Sequence, residues 1–217
     1  MQFSKISDEA VEELRSRIGK PVQRVTRPTF TEINEDAARL FAVAIGDDNP
    51  LWADSDYAAS TRWNGLLAPP SILYSTDNVA SGAVEGLPSV HAMYSGTNWQ
   101  WFEPIRVGTK MRTSSTLTGM VEHQTRFAGR AFQQIYTTEF FDQNGTKLAE
   151  AESWCFRTER DTAREQGTKY HGSNEEPVVY SDAAIRAFAE QYRQERARGR
   201  EKRLWSEVQG ATWSARS

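Results

Sequence analysis

One cysteine in 217 residues, Cys155, excludes an internal disulfide. It stands in the strand-like run SWCFR, where a lone cysteine behaves as a small buried hydrophobe. Histidine is also scarce. His91, His123 and His171 share no ligand spacing with one another or with Cys155, so no metal site is expected. No apolar run approaches the roughly 18 residues that a membrane span needs. The N-terminal MQFSKISDEAVEELRSRIGK is charged and lacks the apolar core of a signal peptide, which implies a cytoplasmic protein. Positive charge is not in excess: the net charge of −3 offers no electrostatic reason to bind nucleic acid. There is no Gly-rich phosphate loop, no Walker motif, no G-x-S-x-G elbow and no internal repeat.

What is present is a change of pattern along the chain. Ser7 is placed to cap a first helix that runs to near Gly19, with Val11, Leu14 and Ile18 as its apolar stripe. INEDAARLFAVAIGDDNP predicts a second helix, capped by Asn34 and ended by Gly46, with Ala37, Leu40, Phe41 and Ala44 on its inner face. Residues 51–67 read as irregular. In APPSILYSTDNVASG two prolines suit a helix entry, and Ile72, Leu73, Val79 and Ala80 predict a buried helix.

After Gly86 come four long runs, 89–102, 109–123, 129–141 and 147–159, rich in Thr, Val, Tyr, Phe and Trp. Turn signals divide them. Asn144-Gly145 is the strongest, since both residues tolerate the positive φ of a tight hairpin. Helices followed by an antiparallel meander predict an α+β fold. A curved antiparallel sheet wrapped around a central helix is the hot-dog arrangement, here with N- and C-terminal helical additions. Residues 1–160 would form this domain. Residues 161–217 would supply a polar linker, a helix capped by Ser181 with Ile185, Phe188, Ala189 and Tyr192 on one face, and a tail. The basic run RQERARGREKR reads first as a solvated helix face.

The stretch that carries chemistry is FAVAIGDDNPLWADSDYAASTRWNGLLAPPSIL, residues 41–73. It resembles the MaoC-like (R)-specific enoyl-CoA hydratases and 3-hydroxyacyl dehydratases. Their signature reads roughly G/S-D-x-N-P-L-H, then an Asp and an Ala-rich helix, then an aromatic, then I-x-H-G-M-L. Gly46, Asp47, Asn49, Pro50 and Leu51 match in register, and Asp54, Ala58, Ala59, Trp63 and Leu67 keep the later spacing. WQWFEPIRVGTKM resembles the strand–turn–strand that follows the hot-dog helix, so the similarity covers about residues 5–160.

The departures from that signature are chemical. The resemblance implies that an Asp–His pair holds and deprotonates the water that adds to the double bond. Asp47 is present, but Trp52 occupies the histidine position, and indole has no basic nitrogen. The family's H-G supplies an N–H that polarises the thioester carbonyl. Those positions are Pro69 and Pro70, which have no N–H. The pattern looks like the N-terminal, non-catalytic half of the double-hot-dog MaoC proteins. That likeness implies a half that lends an acyl tunnel while a partner supplies the Asp and His. RLWSEVQG is similar to the start of a second domain in fused members; a separate partner subunit, or failing that a homodimer, is expected.

The resemblance thus implies a hydro-lyase component that binds acyl-CoA or a related thioester, with no cofactor beyond the CoA its substrate carries. Asp47 would be a vestigial catalytic residue. Asn49, Trp52, Pro70, Trp99 and Trp101 would be the substrate-binding set. Each has a structural role open to it as well. Asp47 and Asn49 suit bonding of a turn, Trp52 suits a core, and Trp99 and Trp101 alternate on one strand face and either line the tunnel or pack. Lys110, Arg126 and Arg130 are candidate CoA-phosphate contacts or plain solvated charges. Two other functions compete: a scaffold subunit that kept the fold and lost the chemistry, and a hot-dog acyl-CoA thioesterase using Asp47.

Overall fold

The computed structural model describes residues 5–22, 31–76, 87, 91–125, 129–159, 178–194 and 206. The chain divides into two compact units, Met1–Glu175 and Glu176–Ser217.

Helix α1 (Asp8–Arg15) opens on the predicted cap: the Ser7 hydroxyl accepts from the Ala10 amide, and Asp8 and Glu9 sit at the positive end of the helix. It stops earlier than its apolar stripe predicts. Val11 and Leu14 are buried, whereas Ile18 lies beyond the helix and is exposed. The chain then runs along β4 (Arg112–Thr125). Gly19, at φ +83°, donates to the Leu117 carbonyl at 2.8 Å, and Val22 donates to Ser115 at 2.7 Å.

Helix α2 (Glu35–Ile45) keeps both predicted ends, with Asn34 accepting from Ala37 and Gly46 left-handed at φ +70°. Its inner face differs from the one expected. Ala38 and Ala42 are buried and Phe41 packs beside them, whereas Leu40, Val43 and Ile45 are 56%, 70% and 49% exposed and Ala44 is also exposed. The two small residues one turn apart are the side on which the helix backbone approaches the core most closely, so the larger side chains are turned outward.

The stretch expected to be irregular holds order. Asn49 caps a 3-10 turn at Pro50–Trp52, and Asp54 caps α3 (Ser55–Ser60) by accepting from Tyr57 at 2.9 Å. The predicted central helix begins as a 3-10 turn at Pro70–Ile72 and continues as α4 (Leu73–Thr76). A proline is tolerated there because the first-turn amides have no intrahelical acceptor. Val79 and Ala80 lie outside the described residues.

The four strand runs are present as β2 (His91–Trp101), β4, β5 (Gly129–Phe141) and β6 (Lys147–Thr158), in an antiparallel sheet ordered β2-β6-β5-β4. The run from 109 breaks at Met111. Its first residues form β3 (Thr109–Lys110), which pairs with β1 (Glu32–Ile33). The β5–β6 turn is looser than Asn144-Gly145 predicts. Only Gly145 has positive φ, at +87°, and the loop is built on Asp142, whose carboxylate accepts from the Asn144 and Thr146 amides at 2.8 Å. An Asp before the turn thus supplies what a two-residue turn would otherwise have to.

Alternation sorts the sheet into two faces. Phe132, Gln134, Tyr136, Thr138 and Phe140 of β5 and Ala149, Ala151, Ser153, Cys155 and Arg157 of β6 are buried on the concave face. Ile72 and Leu73 pack against Phe140, Ala149 and Ala151, so the helix start sits over one end of that face. Val11 and Leu14 cover the other end, against Leu117, Phe132 and Tyr136. This is the hot-dog architecture. In the second unit, α5 (Asp182–Gln194) has its predicted Ser181 cap, and Ile185, Phe188 and Tyr192 are exposed. The linker, apart from residues 178–179, and most of the basic run lie outside the described residues.

Candidate functional site

The residues singled out by the sequence fall into two clusters joined by one segment. In the first, the Asp47 carboxylate accepts from the Asn49 amide and the Asn49 side chain accepts from the Leu51 amide, both at 3.1 Å. Both side chains therefore hold the turn that leaves α2. Trp52 is buried in a small apolar cluster with Ala42 and Leu67, flanked by Leu51 and Trp63. Its Nε1 is buried with no hydrogen-bond partner among the described residues. An indole N–H in that position donates and cannot take a proton.

The second cluster is aromatic. Trp99 and Trp101 stack at 5.3 Å, Phe140 lies 5.5 Å from Trp99, and Tyr74 meets Trp99 edge-on at 4.9 Å. Trp101 Nε1 donates to the Pro70 carbonyl at 3.4 Å, which fastens the strand to the helix entry. Pro70, Trp99 and Trp101 are thus brought together, while Asp47, Asn49 and Trp52 form a separate group. The link between them is the segment 67–70. Leu67 packs on Trp52 and its amide donates to Leu51, Ala68 donates to Ile105, and Pro69 and Pro70 open the helix.

Tyr74 was not legible as a site residue, because helical spacing alone gives no reason to place it against a strand tryptophan. Tyr94 extends the same rim, its hydroxyl 2.7 Å from Thr97 Oγ1. Burial, followed by hydrogen bonding and charge coupling with Tyr74, raises the Tyr94 phenol above its usual value, against the opposing effect of Thr97. The Tyr94 phenol therefore stays neutral near pH 7 and serves as a hydrogen-bonding group. Of the candidate phosphate contacts, Arg130 is committed within the fold: it bridges Glu122 and Asp8, each at 2.6 Å, and those two carboxylates raise its pKa further. Lys110 is exposed on β3, and Arg126 lies outside the described residues.

A cleft of about 510 Å³ lies elsewhere, lined by Trp63, Glu103, Arg106, Asp142, Asn144 and other residues. Its polar groups are largely used internally: Arg106 donates to the Trp63 carbonyl at 2.7 Å, and Asp142 holds its own loop. None of the residues singled out by the MaoC signature match as catalytic or substrate-binding lines it, so the aromatic cluster is the better candidate. Among the described residues no group of three or more His, Cys, Asp or Glu side chains converges as a metal site. No described helix is long and apolar enough to cross a membrane.

The four-stranded antiparallel sheet and the short helix set across it define a hot-dog protein. Residues 20–151 match the family model of the FAS1-like dehydratase domain region, and the chain belongs to that family. Among curated relatives, a UPF0336 protein of Streptomyces avermitilis is 26% identical over 91 residues, 40% of this chain. That match spans only 61% of the relative's length. A UPF0336 protein of Parafrankia sp. is 28% identical over 137 residues, covering 61% of this chain and 86% of that one. Among solved structures, the ChsH1-ChsH2 complex of Mycobacterium tuberculosis superposes with a TM-score of 0.56 at 17% identity, covering 70% of this chain and 95% of the matched chain. The C-terminally truncated HadBC (3R-hydroxyacyl-ACP dehydratase) complex of the same organism gives 0.51 at 17% identity, covering 64% and 96%. At such identities the likeness establishes the fold.

Proposed function

We propose that this chain is the acyl-thioester-binding subunit of a hydro-lyase that hydrates enoyl thioesters or dehydrates 3-hydroxyacyl thioesters, and that a second hot-dog chain supplies the catalytic Asp and His. The observation that carries this reading is the state of the family's catalytic positions. Trp52 stands where the base belongs, the Asp47 carboxylate is tied to a turn amide, and the helix entry is proline. Removing one oxyanion donor alone slows such reactions by about a hundred- to a thousandfold.

The partner half of the proposal has separate support. The fold is shared with chains of two complexes, ChsH1-ChsH2 and HadBC. Among the described residues the sheet also has one open edge. Pro21 and Val22 run along β4, whereas β2 has no neighbour on its outer side among the described residues. Met93, Tyr94, Trp101 and Phe102, on and just beyond β2, are exposed apolar side chains beside that edge.

The test is hydration of crotonyl-CoA by the purified full-length chain, alone and with a hot-dog partner that co-purifies from the native host. The isolated chain should show negligible turnover, and Trp52→His alone should not restore it, because the proline entry still lacks the amide. Ordinary enzymatic turnover by the isolated chain would overturn the proposal.

A further inference from the structure

Helix α5 presents an apolar stripe to solvent. None of its 13 residues is buried. Ile185, Phe188 and Tyr192, at helical spacing, share one face and are 54%, 44% and 72% exposed. Asp182, Arg186, Glu190 and Arg193 fall on the flank of that face, the last two paired at 3.1 Å. Val178, Val179 and Tyr180, just before the helix, are exposed as well. Tyr180 meets Phe188 edge-on at 5.6 Å, which extends the apolar surface past the start of the helix.

Positive charge gathers where this helix ends. The chain as a whole carries a net charge of −3, yet residues 193–203 hold Arg193, Arg196, Arg198, Arg200, Lys202 and Arg203 against only Glu195 and Glu201. Leu204 and Trp205 follow at once. An apolar stripe continued by a cluster of cations is complementary to an anionic bilayer surface. The aliphatic and ring side chains enter the headgroup boundary, and the cations meet the lipid phosphates and carboxylates. Tyrosine suits that depth, because its ring is apolar and its tip polar. A bilayer presents its charge diffusely, so the cations need match no fixed spacing. An acidic protein would have to place its carboxylates against them one by one.

We infer that α5 and the basic run after it dock this chain on an anionic lipid surface, with Ile185, Phe188 and Tyr192 against the headgroup boundary. The contact is peripheral and reversible. A helix of this length is about 20 Å long, and no described helix is long and apolar enough to cross a membrane. The inference is independent of the acyl-thioester reading, and either can fail without the other.

Co-sedimentation of the full-length chain with vesicles provides the test. One set is pure phosphatidylcholine; the other contains about one third phosphatidylserine, to mimic an anionic leaflet. The chain should bind the second set about tenfold or more tighter than the first. That binding should fall steeply as salt rises from about 0.05 to 0.5 M. The double variant Ile185→Ser, Phe188→Ser should weaken binding about fivefold or more, and so should the triple variant Arg196→Gln, Arg198→Gln, Arg200→Gln. Both variants should melt with the parent and sediment as it does, since no α5 side chain is buried. Equal binding to the two vesicle sets overturns the inference. Binding to neither set also overturns it and points to an acidic protein as the partner. Parental affinity in either variant overturns it too. A lower melting temperature or a changed oligomeric state in the serine variant would show that the stripe is already covered, by the chain itself or by a second copy, and would equally overturn it.

Discussion

Asp47, the proposed counterpart of the family's catalytic aspartate, has a structural use of its own. Its carboxylate accepts one backbone amide, and the next link in the turn is made by Asn49. A single such bond at a partly buried site contributes about 0.5–1.5 kcal/mol. Asp47→Ala should therefore lower the melting temperature by a few degrees, given roughly 2–4 °C per kcal/mol for a chain of this size. Asp47→Asn, which keeps an acceptor oxygen, should melt close to the parent. Thermal melts of the two variants check this; equal losses would mean that the charge, and not the acceptor, holds the turn.

At the scale of elements, two features of the sheet make separable predictions. Gly96 sits at a bulge in β2, and a Cβ there would lie 2.5 Å from the Trp154 ring. Gly96→Ala must displace that ring or the strand, at a cost of about 1–3 kcal/mol as for other overpacked sites. The expected readout is a melting temperature lower by several degrees with an unchanged far-UV spectrum. In the β5–β6 loop, desolvation pushes the Asp142 carboxyl up, but hydrogen bonds from Thr146 and Asn144 together outweigh it and hold it below the usual carboxylate range. A lowered folded-state pKa means that the loop's stabilisation is complete above the ordinary carboxylate value and is lost as pH falls through the lowered one. NMR titration of Asp142 should give a midpoint below about 4, the usual value; a midpoint above it would contradict the loop geometry.

The sequence made some of these elements plain and hid others for physical reasons. Period-two alternation and turn residues located all four long strands to within a few residues, and capping residues located the ends of α2. Periodicity placed Phe41 inward correctly but Leu40 wrongly, because it weights Leu40 by hydrophobicity, whereas close packing selected Ala38 and Ala42. The D-x-N-P-L motif stood out in the sequence, but the side chains of Asp47 and Asn49 are spent on the turn. The buried polar residues of β6 left a signal that could have been read. Ser153, Cys155 and Arg157 follow Ala149 and Ala151 on the buried side of β6, where alternation alone predicts apolar residues.

At the scale of the whole molecule, the question is what covers the edge of the sheet at β2, which no described strand pairs. An exposed edge presents a row of unpaired amides and carbonyls, and proteins blunt such rows with charge, proline or another chain. β4 is covered from within by the segment at Gly19–Val22, through the Gly19 and Val22 amides and the Pro21–Thr116 bridge. β2, HAMYSGTNWQW, carries no lysine, arginine, acid or proline to protect it. Its exposed side chains include Met93, Tyr94 and Trp101, followed by Phe102. Association through β2 would pair its backbone and remove these side chains from water, which favours a second hot dog as the cover. Sedimentation equilibrium of the full-length chain should show a dimer at micromolar concentration, as a heterodimer where the partner is present. Met93→Lys places a charge at this edge and should weaken association about tenfold or more, with the circular dichroism spectrum unchanged. A stable monomer in the parent protein, together with no partner in pull-downs, would remove the support for a partner-completed active site and leave a hot-dog protein that works alone.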